Sequence, residues 1–244
     1  MRGMLALVCG LLLLALAAPA VAQPEQDVIP TAGGDLAITF VGHASLVFEY
    51  GGKVIHVDPW TQQGDYDALP KADLILVTHE HRDHLDLAAI EKIRTPQTLL
   101  VCNQAGAEKL PGCQVLSNGQ QTQLLGLTIE AVPAYNLVHM RQPGLPYHPQ
   151  GVGNGYVVTF GGRKVYLAGD TENTPEMKAL KGIDVAFLPM SLPFTMTPEM
   201  VADAAQAFKP RVLYPYHYGQ TDPGLLLALM KDTPGIEVRV RKLR

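Results

Sequence analysis

Three imidazoles and two carboxylates, those of Glu80 and Asp83, fall within six residues in the run Thr78-His79-Glu80-His81-Arg82-Asp83-His84. In extended chain, alternate side chains share a face, so His79, His81 and Asp83 converge. His84, where the chain turns into a helix, can point back at the same place. Imidazole nitrogen and carboxylate oxygen suit zinc and other borderline divalent cations, and no thiolate stands nearby to make a structural cysteine site. Glu80, between two candidate ligands, is expected to point away. The run therefore predicts a metal centre on which a substrate can be polarised.

Such a run needs a rigid support, and the sequence supplies one. Leu74 to Val77 is short and wholly apolar, the mark of a strand covered on both faces, and the His-rich segment follows it directly. Asp86 can cap a helix through Leu87 to Ile93. Upstream, the strands Leu36–Val41 and Ser45–Tyr50, the turn Gly51-Gly52 and the strand Lys53–Val57 read as hairpins. The same plan recurs as Tyr156–Phe160, Gly161-Gly162 and Lys164–Ala168, ending at Asp170. Strands at 98–101, 115–116, 185–188, 212–214 and 236–240 alternate with helices at 104–110, 175–180, 198–208 and 222–231, and 123–132 reads as a hairpin. Two β-rich halves packed face to face with helices outside are expected, with no linker between them. Residues 133–154 are rich in Pro, Gly, Tyr and His and read as a long functional loop.

The bulk composition agrees with a folded enzyme. The chain has 244 residues, 47% hydrophobic and 17% charged, enough for one large α/β domain. A formal net charge of −4 carries no basic stripe of the kind nucleic-acid binding needs. Arg2, the apolar run Leu5–Ala18 and Ala20-Val21-Ala22 predict a signal peptide over residues 1–22 and a secreted or periplasmic protein. Residues 23–34, with Pro24, Pro30, Gly33 and Gly34, read as a flexible mature N-terminus, and 35–244 as the domain. No later apolar run approaches membrane length. Export permits a disulfide between Cys102 and Cys113, with two small buried thiols as the alternative.

His-x-His-x-Asp-His after a short apolar strand resembles the signature of the metallo-β-lactamase fold superfamily. Phe40-Val41-Gly42-His43-Ala44-Ser45, Val57-Asp58-Pro59-Trp60, Ala168-Gly169-Asp170-Thr171 and Pro215-Tyr216-His217-Tyr218-Gly219 extend the resemblance over nearly all of the mature chain. They are most similar to its branch of small metal-dependent hydrolases, which includes the ascorbate-phosphate lactonases. The resemblance implies a four-layer αββα sandwich and two divalent metal ions. It places one ion on His79, His81 and a later histidine, the other on Asp83, His84 and His217, with Asp170 bridging. His148 is the preferred third histidine and His139 its competitor. Zinc is the expected metal, and manganese, iron and nickel suit the same donors.

Two such ions roughly 3.5–4 Å apart lower the pKa of a bridging water toward about 7, giving hydroxide at neutral pH. Asp83 and Asp170 can accept its proton, and His43 is a candidate donor to the substrate or a structural histidine. The expected reaction is hydrolysis of an ester, lactone, amide or phosphodiester in a small molecule. A di-iron oxidoreductase on the same scaffold, or a non-catalytic metal-binding protein, are the competing readings, and a homo-oligomer is compatible with all three. Asp58 is read either as hydrogen-bonded to a ligating imidazole or as a turn cap, and His56, alternating within a strand, as structural. Tyr135, Asn136 and Tyr218 could line a pocket, and Arg141 could meet an anionic substrate. Met190, Phe194 and Met196 form an apolar patch, beside the cleft or in the core.

Overall fold

The computed structural model describes residues 24–244, so the expected signal peptide lies outside the described residues. The first half forms one sheet with strands in chain order: β1 (Glu25–Thr31), β2 (Gly34–Gly42), β3 (Ser45–Tyr50), β4 (Lys53–Val57), β5 (Leu74–Leu76), β6 (Leu99–Cys102) and β7 (Gln114–Val115). The helices α1 (Leu87–Ile93) and α2 (Gln104–Lys109) lie between its later strands in the chain. The second half contributes β8 (Gln121–Leu124), β9 (Leu127–Ala134), β12 (Gly153–Phe160), β13 (Arg163–Leu167), β14 (Val185–Pro189), β15 (Val212–Tyr216) and β16 (Glu237–Val238) to a second sheet. Its spatial order is β16-β15-β14-β13-β12-β9-β8. A separate two-stranded hairpin, β10 (Met140–Gln142) and β11 (Leu145–Pro146), stands inside the loop expected over 133–154. Helices α3 (Pro175–Lys178), α4 (Pro198–Phe208) and α5 (Pro223–Met230) complete the chain.

The two sheets face one another across a single apolar core. Phe48 of the first sheet stacks on Phe160 of the second at 5.6 Å, and Phe40 meets Tyr214 at 5.2 Å. In β5 the alternation is visible residue by residue. Leu74 and Leu76 enter the core between the sheets, whereas Ile75 joins Val77, Ala89, Ile90 and Ile93 beneath α1. On the other side, α4 buries Val201, Ala204, Ala205 and Phe208, and Phe208 meets Tyr166 edge-on at 6.0 Å. Helix, sheet, sheet, helix is the expected αββα sandwich. The two Gly-Gly hairpins hold φ of 57° and 74° at Gly51 and Gly52, and 51° and 85° at Gly161 and Gly162. Two consecutive positive φ values are what a tight two-residue hairpin turn demands.

One expectation is corrected. Of the segment 23–34 expected as a flexible tail, the described residues 24–34 are ordered into the sheet: Glu25–Thr31 is an edge strand, paired antiparallel with β2 from Glu25 opposite Phe40 to Thr31 opposite Gly34. Pro30 is tolerated there because an edge strand has a side without a ladder. Asp27 fixes the strand to the far end of the chain, accepting hydrogen bonds from Arg241 Nη2 at 2.8 Å and Tyr214 Oη at 2.5 Å. Cys102 and Cys113 are joined as a disulfide, Cα–Cα 6.2 Å, across α2.

Candidate metal centre

Five segments, two from the first half and three from the second, carry donor side chains to the same edge of the sandwich, one of them the loop before β12 that bears His148. The first follows β5. Thr78 is locked to Asp58, whose carboxylate accepts from Thr78 N at 2.8 Å and from Thr78 Oγ1 at 2.7 Å. The Thr78 hydroxyl, its own proton given to Asp58, accepts a hydrogen bond from His79 Nδ1 at 3.1 Å, which leaves Nε2 of His79 free to face inward. The backbone then turns, with His84 N and Leu85 N both donating to His81 O. His84 Nδ1 donates to Asp58 Oδ2 at 2.8 Å, again leaving Nε2 inward. One buried carboxylate thus sets the orientation of two imidazoles, the arrangement that tunes metal-ligating histidines. Asp86 ends the segment as the cap of α1, accepting from Ala88 N at 2.9 Å.

The second segment joins β2 to β3 and carries His43; the third and fourth follow β13 and β15. His43, Asp58 and His217 are non-glycine residues with φ of 55°, 43° and 45°. Such left-handed backbone is uncommon outside glycine, though aspartate and histidine tolerate it better than most, and it concentrates at functional sites. His217 N donates to His43 O at 3.1 Å, so the two halves are tied by backbone at this point. Asp170 follows Gly169, where a Cβ would sit 2.6 Å from Asn154 O; only glycine lets the chain pass.

Six of the eight histidines meet here with two aspartates. Asp170 sits between two sets of donors. Its Oδ2 lies 3.3 Å from His148 Nε2 and 4.0 Å from His79 Nε2. Its Oδ1 lies 3.4 Å from both His84 Nε2 and His217 Nε2. His79, His81 and His148 form one tight group, with His79 Nε2 3.0 Å from His81 Nδ1. Asp83, His84, His217 and His43 form the other, with Asp83 Oδ2 3.5 Å from His217 Nε2 and 3.1 Å from His43 Nε2.

His148, not His139, completes the first group. Asn136 Oδ1 accepts from His148 N at 2.9 Å and from His148 Nδ1 at 2.7 Å, so Nε2 points at Asp170. Asn136 is itself held by Glu172, whose buried carboxylate also accepts from the backbone of Leu137, Val138 and His139 at 2.6–2.8 Å. His139 leans on Glu172, Nδ1 to Oε1 2.6 Å, outside the donor groups. Glu172 had no signal in the sequence beyond an isolated acidic residue after Asp170-Thr171. Glu80 points away as expected and accepts from Asn103 Nδ2 at 3.1 Å. His56 is structural, with Nε2 donating to Pro70 O at 2.9 Å. Tyr135 donates to Glu176 and Tyr218 to Arg241 O, so neither hydroxyl serves the cleft; Met190 and Met196 are core, while Phe194 is exposed at the cleft wall.

The electrostatics favour cation binding. Burial, then the neighbouring His84, push His79 well below the ordinary histidine range, and burial and His148 lower His81. Burial opposes ionisation of Asp170, but His217, His84 and His148 outweigh it and hold the carboxylate well below its usual range. Burial also opposes charge on His84, yet Asp170 and Asp58 overcome it and raise its pKa well above the usual value. A divalent cation at Nε2 competes with that proton, since metal binding and deprotonation are linked. The donors fit such an ion by a second criterion. His84 Nε2, His217 Nε2 and Asp170 Oδ1 are buried with no hydrogen-bond partner. Buried polar atoms are rarely left so, and a cation between them would satisfy all three.

The profile of the Beta-lactamase superfamily domain matches residues 37–217. A UPF0173 metal-dependent hydrolase of Pyrococcus abyssi is 34% identical over 200 residues, covering 76% of this chain and 86% of the relative. Another from Thermococcus kodakarensis is 36% identical over 199 residues, with the same coverage. A crystal structure from Parabacteroides distasonis, assigned as a metal-dependent hydrolase, superposes with a TM-score of 0.87 at 47% identity, over 91% of this chain and 100% of its own. The chain belongs to the metallo-β-lactamase superfamily. Within that superfamily it is a metal-dependent hydrolase.

Proposed function

We propose that this hydrolase works with two divalent ions, zinc first among them, and cleaves an ester, lactone, amide or phosphodiester of a small molecule. His79, His81 and His148 would hold one ion, Asp83, His84 and His217 the other, and Asp170 would bridge. The observation that carries this reading is the position of Asp170, whose two carboxylate oxygens each face a different set of imidazole nitrogens at 3.3–4.0 Å. When bound, such ions lower the pKa of water and polarise the scissile carbonyl or phosphoryl oxygen.

The chain's own residues do the rest. Asp58, directly or through Thr78, and Asn136 hold His84, His79 and His148 in one tautomer with Nε2 inward. Asp83 is the proton acceptor: its side chain is 34% exposed at the cleft, and His217 and His43 outweigh its burial and keep it ionised. His43 Nε2 donates to Asp83 Oδ2 and is placed to pass a hydrogen bond to the substrate as Asp83 changes charge. Burial lowers the pKa of His43, so the ring is a neutral donor at neutral pH. Asp170 is ionised too but buried, at 5% exposure, so it orients donors and stands second to Asp83 as a proton acceptor.

Export is part of the proposal. The apolar run before Ala20-Val21-Ala22 supports it, and so does the Cys102–Cys113 disulfide, which an oxidising compartment preserves. Chelator treatment should abolish hydrolysis of a panel of aryl esters, lactones and phosphodiesters, and restored zinc, manganese, iron or nickel should rank the metals. His81→Ala should lose the same activity. Turnover that survives both treatments would sink the proposal.

A further inference from the structure

The cleft over the metal centre is open, enclosing about 760 Å³ that includes some solvent, and its mouth carries two arginines, Arg82 and Arg141. Among the described residues the other guanidinium groups are spoken for. Arg94 pairs with Glu91, Arg163 and Arg211 with Asp184, and Arg239 and Arg241 with Asp27. Arg244 donates to oxygens of Gly219 and Gln220. Arg82 and Arg141 have no such partner, and both face the same cleft. Among the described residues, the carboxylates lining that cleft are Asp83 and Asp170, both members of the donor groups.

Arg141 is also held in place. It sits on β10, and its Cζ lies 5.8 Å from the centroid of the Tyr147 ring, which packs edge-on against Phe194 at 5.1 Å. A guanidinium resting on an aromatic face keeps its N–H fork for a planar acceptor. Tyr147 immediately precedes His148, so the stacked arginine is in fixed register with the metal centre. The molecule carries a net charge of −4, so an anion is drawn to this cleft by its local field and not by the whole protein.

We propose that the substrate carries, apart from the bond that is cleaved, an oxyanionic group, carboxylate or phosphate, which Arg141 and Arg82 hold at the mouth of the cleft. This rests on the two-ion hydrolase reading for what happens at the other end of the molecule. The arginines supply charge-assisted, bidentate hydrogen bonds to that group and fix which end of the substrate meets the metal centre.

The test uses the metal-loaded protein and two matched pairs. In the first, hexanoate and adipate are titrated against the fluorescence of Trp60, the only tryptophan, whose ring lies 4.9 Å from that of His43. Either acid can offer one carboxylate to the metal ions, and only adipate has a second. Glutarate and pimelate vary the reach, and 5-phosphonopentanoate separates a phosphate preference from a carboxylate one. In the second pair, kcat/KM is compared for 4-nitrophenyl hexanoate and mono(4-nitrophenyl) adipate. One of the dianions should bind about tenfold or more tightly than hexanoate, the scale of a charge-assisted hydrogen bond, and added salt should erode the gap. Arg141→Gln, and more so Arg82→Gln with Arg141→Gln, should collapse the preference in both pairs; Arg141→Lys should restore only part of it. Equal affinity for mono- and dianions, or a preference untouched by both substitutions, overturns the proposal. Metal-dependent turnover without the preference removes this inference alone. The binding preference without metal-dependent turnover removes the hydrolase reading and leaves the anion site standing.

Discussion

At the scale of single residues, Asp58 has the widest reach for its size. It is fully buried, stands in left-handed backbone, and holds the Thr78 backbone and hydroxyl together with His84 Nδ1. Through the Thr78 hydroxyl it also sets His79. Asp58→Asn keeps the size but replaces a twofold acceptor with a mixed donor and acceptor, so His84 loses its charged partner. Substitutions of this kind cost about 10–100-fold in metal affinity. A chelator competition titration should show that loss, while thermal unfolding of the metal-free variant should move much less than the affinity does. Unchanged affinity would mean that the carboxylate only caps a turn. The sequence left those two roles for Asp58 open, because a carboxylate before proline fits either; the hydrogen-bond partner lies 26 positions away.

The same limit explains which site residues were legible. His79, His81, Asp83 and His84 are neighbours in the chain, so their types and alternation reveal them. His148 and His139 differ by which one Asn136 grasps, a contact made by folding. Glu172 was invisible for the same reason. Its function is to gather three backbone N–H groups of one loop, and backbone groups leave no mark in a sequence.

At the scale of elements, the strand β4 hides a titratable group. His56 is 1% exposed with one hydrogen bond, to Pro70 O. Burial pushes its pKa down to about 4 from an ordinary 6.5. The unfolded chain therefore binds a proton between those values that the folded chain refuses. Its contribution to stability is complete above about pH 6.5 and is lost as pH falls toward 4, a change of about 3 kcal/mol. Urea unfolding at pH 7.5, 5.5 and 4.5 should show the gap between the native protein and His56→Gln shrinking as pH falls. Parallel stability curves would contradict this assignment. Helix caps and apolar alternation made most elements legible: α1 and α4 occupy the expected spans, and both Gly-Gly hairpins are present. Strand β1 was not, because the grip of Arg241 on Asp27 that fixes it beside β2 joins residues 214 positions apart.

At the scale of the whole molecule, the sandwich exists at this edge as a clamp. The first half delivers His43, His79, His81, Asp83 and His84, and the second delivers His148, Asp170 and His217. Neither half holds a complete donor group, since His148 completes the first and His217 the second. The core of Phe48, Phe160, Phe187 and Tyr214 fixes the distance between the sheets and so the spacing of the donors. Cation binding should consequently depend on the native packing of both halves.

Anomalous diffraction from crystals of the native protein, with data on either side of the metal edge, tests this most directly. Two peaks are expected, one on each side of the Asp170 carboxylate and about 3.5–4 Å apart. A single peak, or metal bound away from Asp170, would contradict the account.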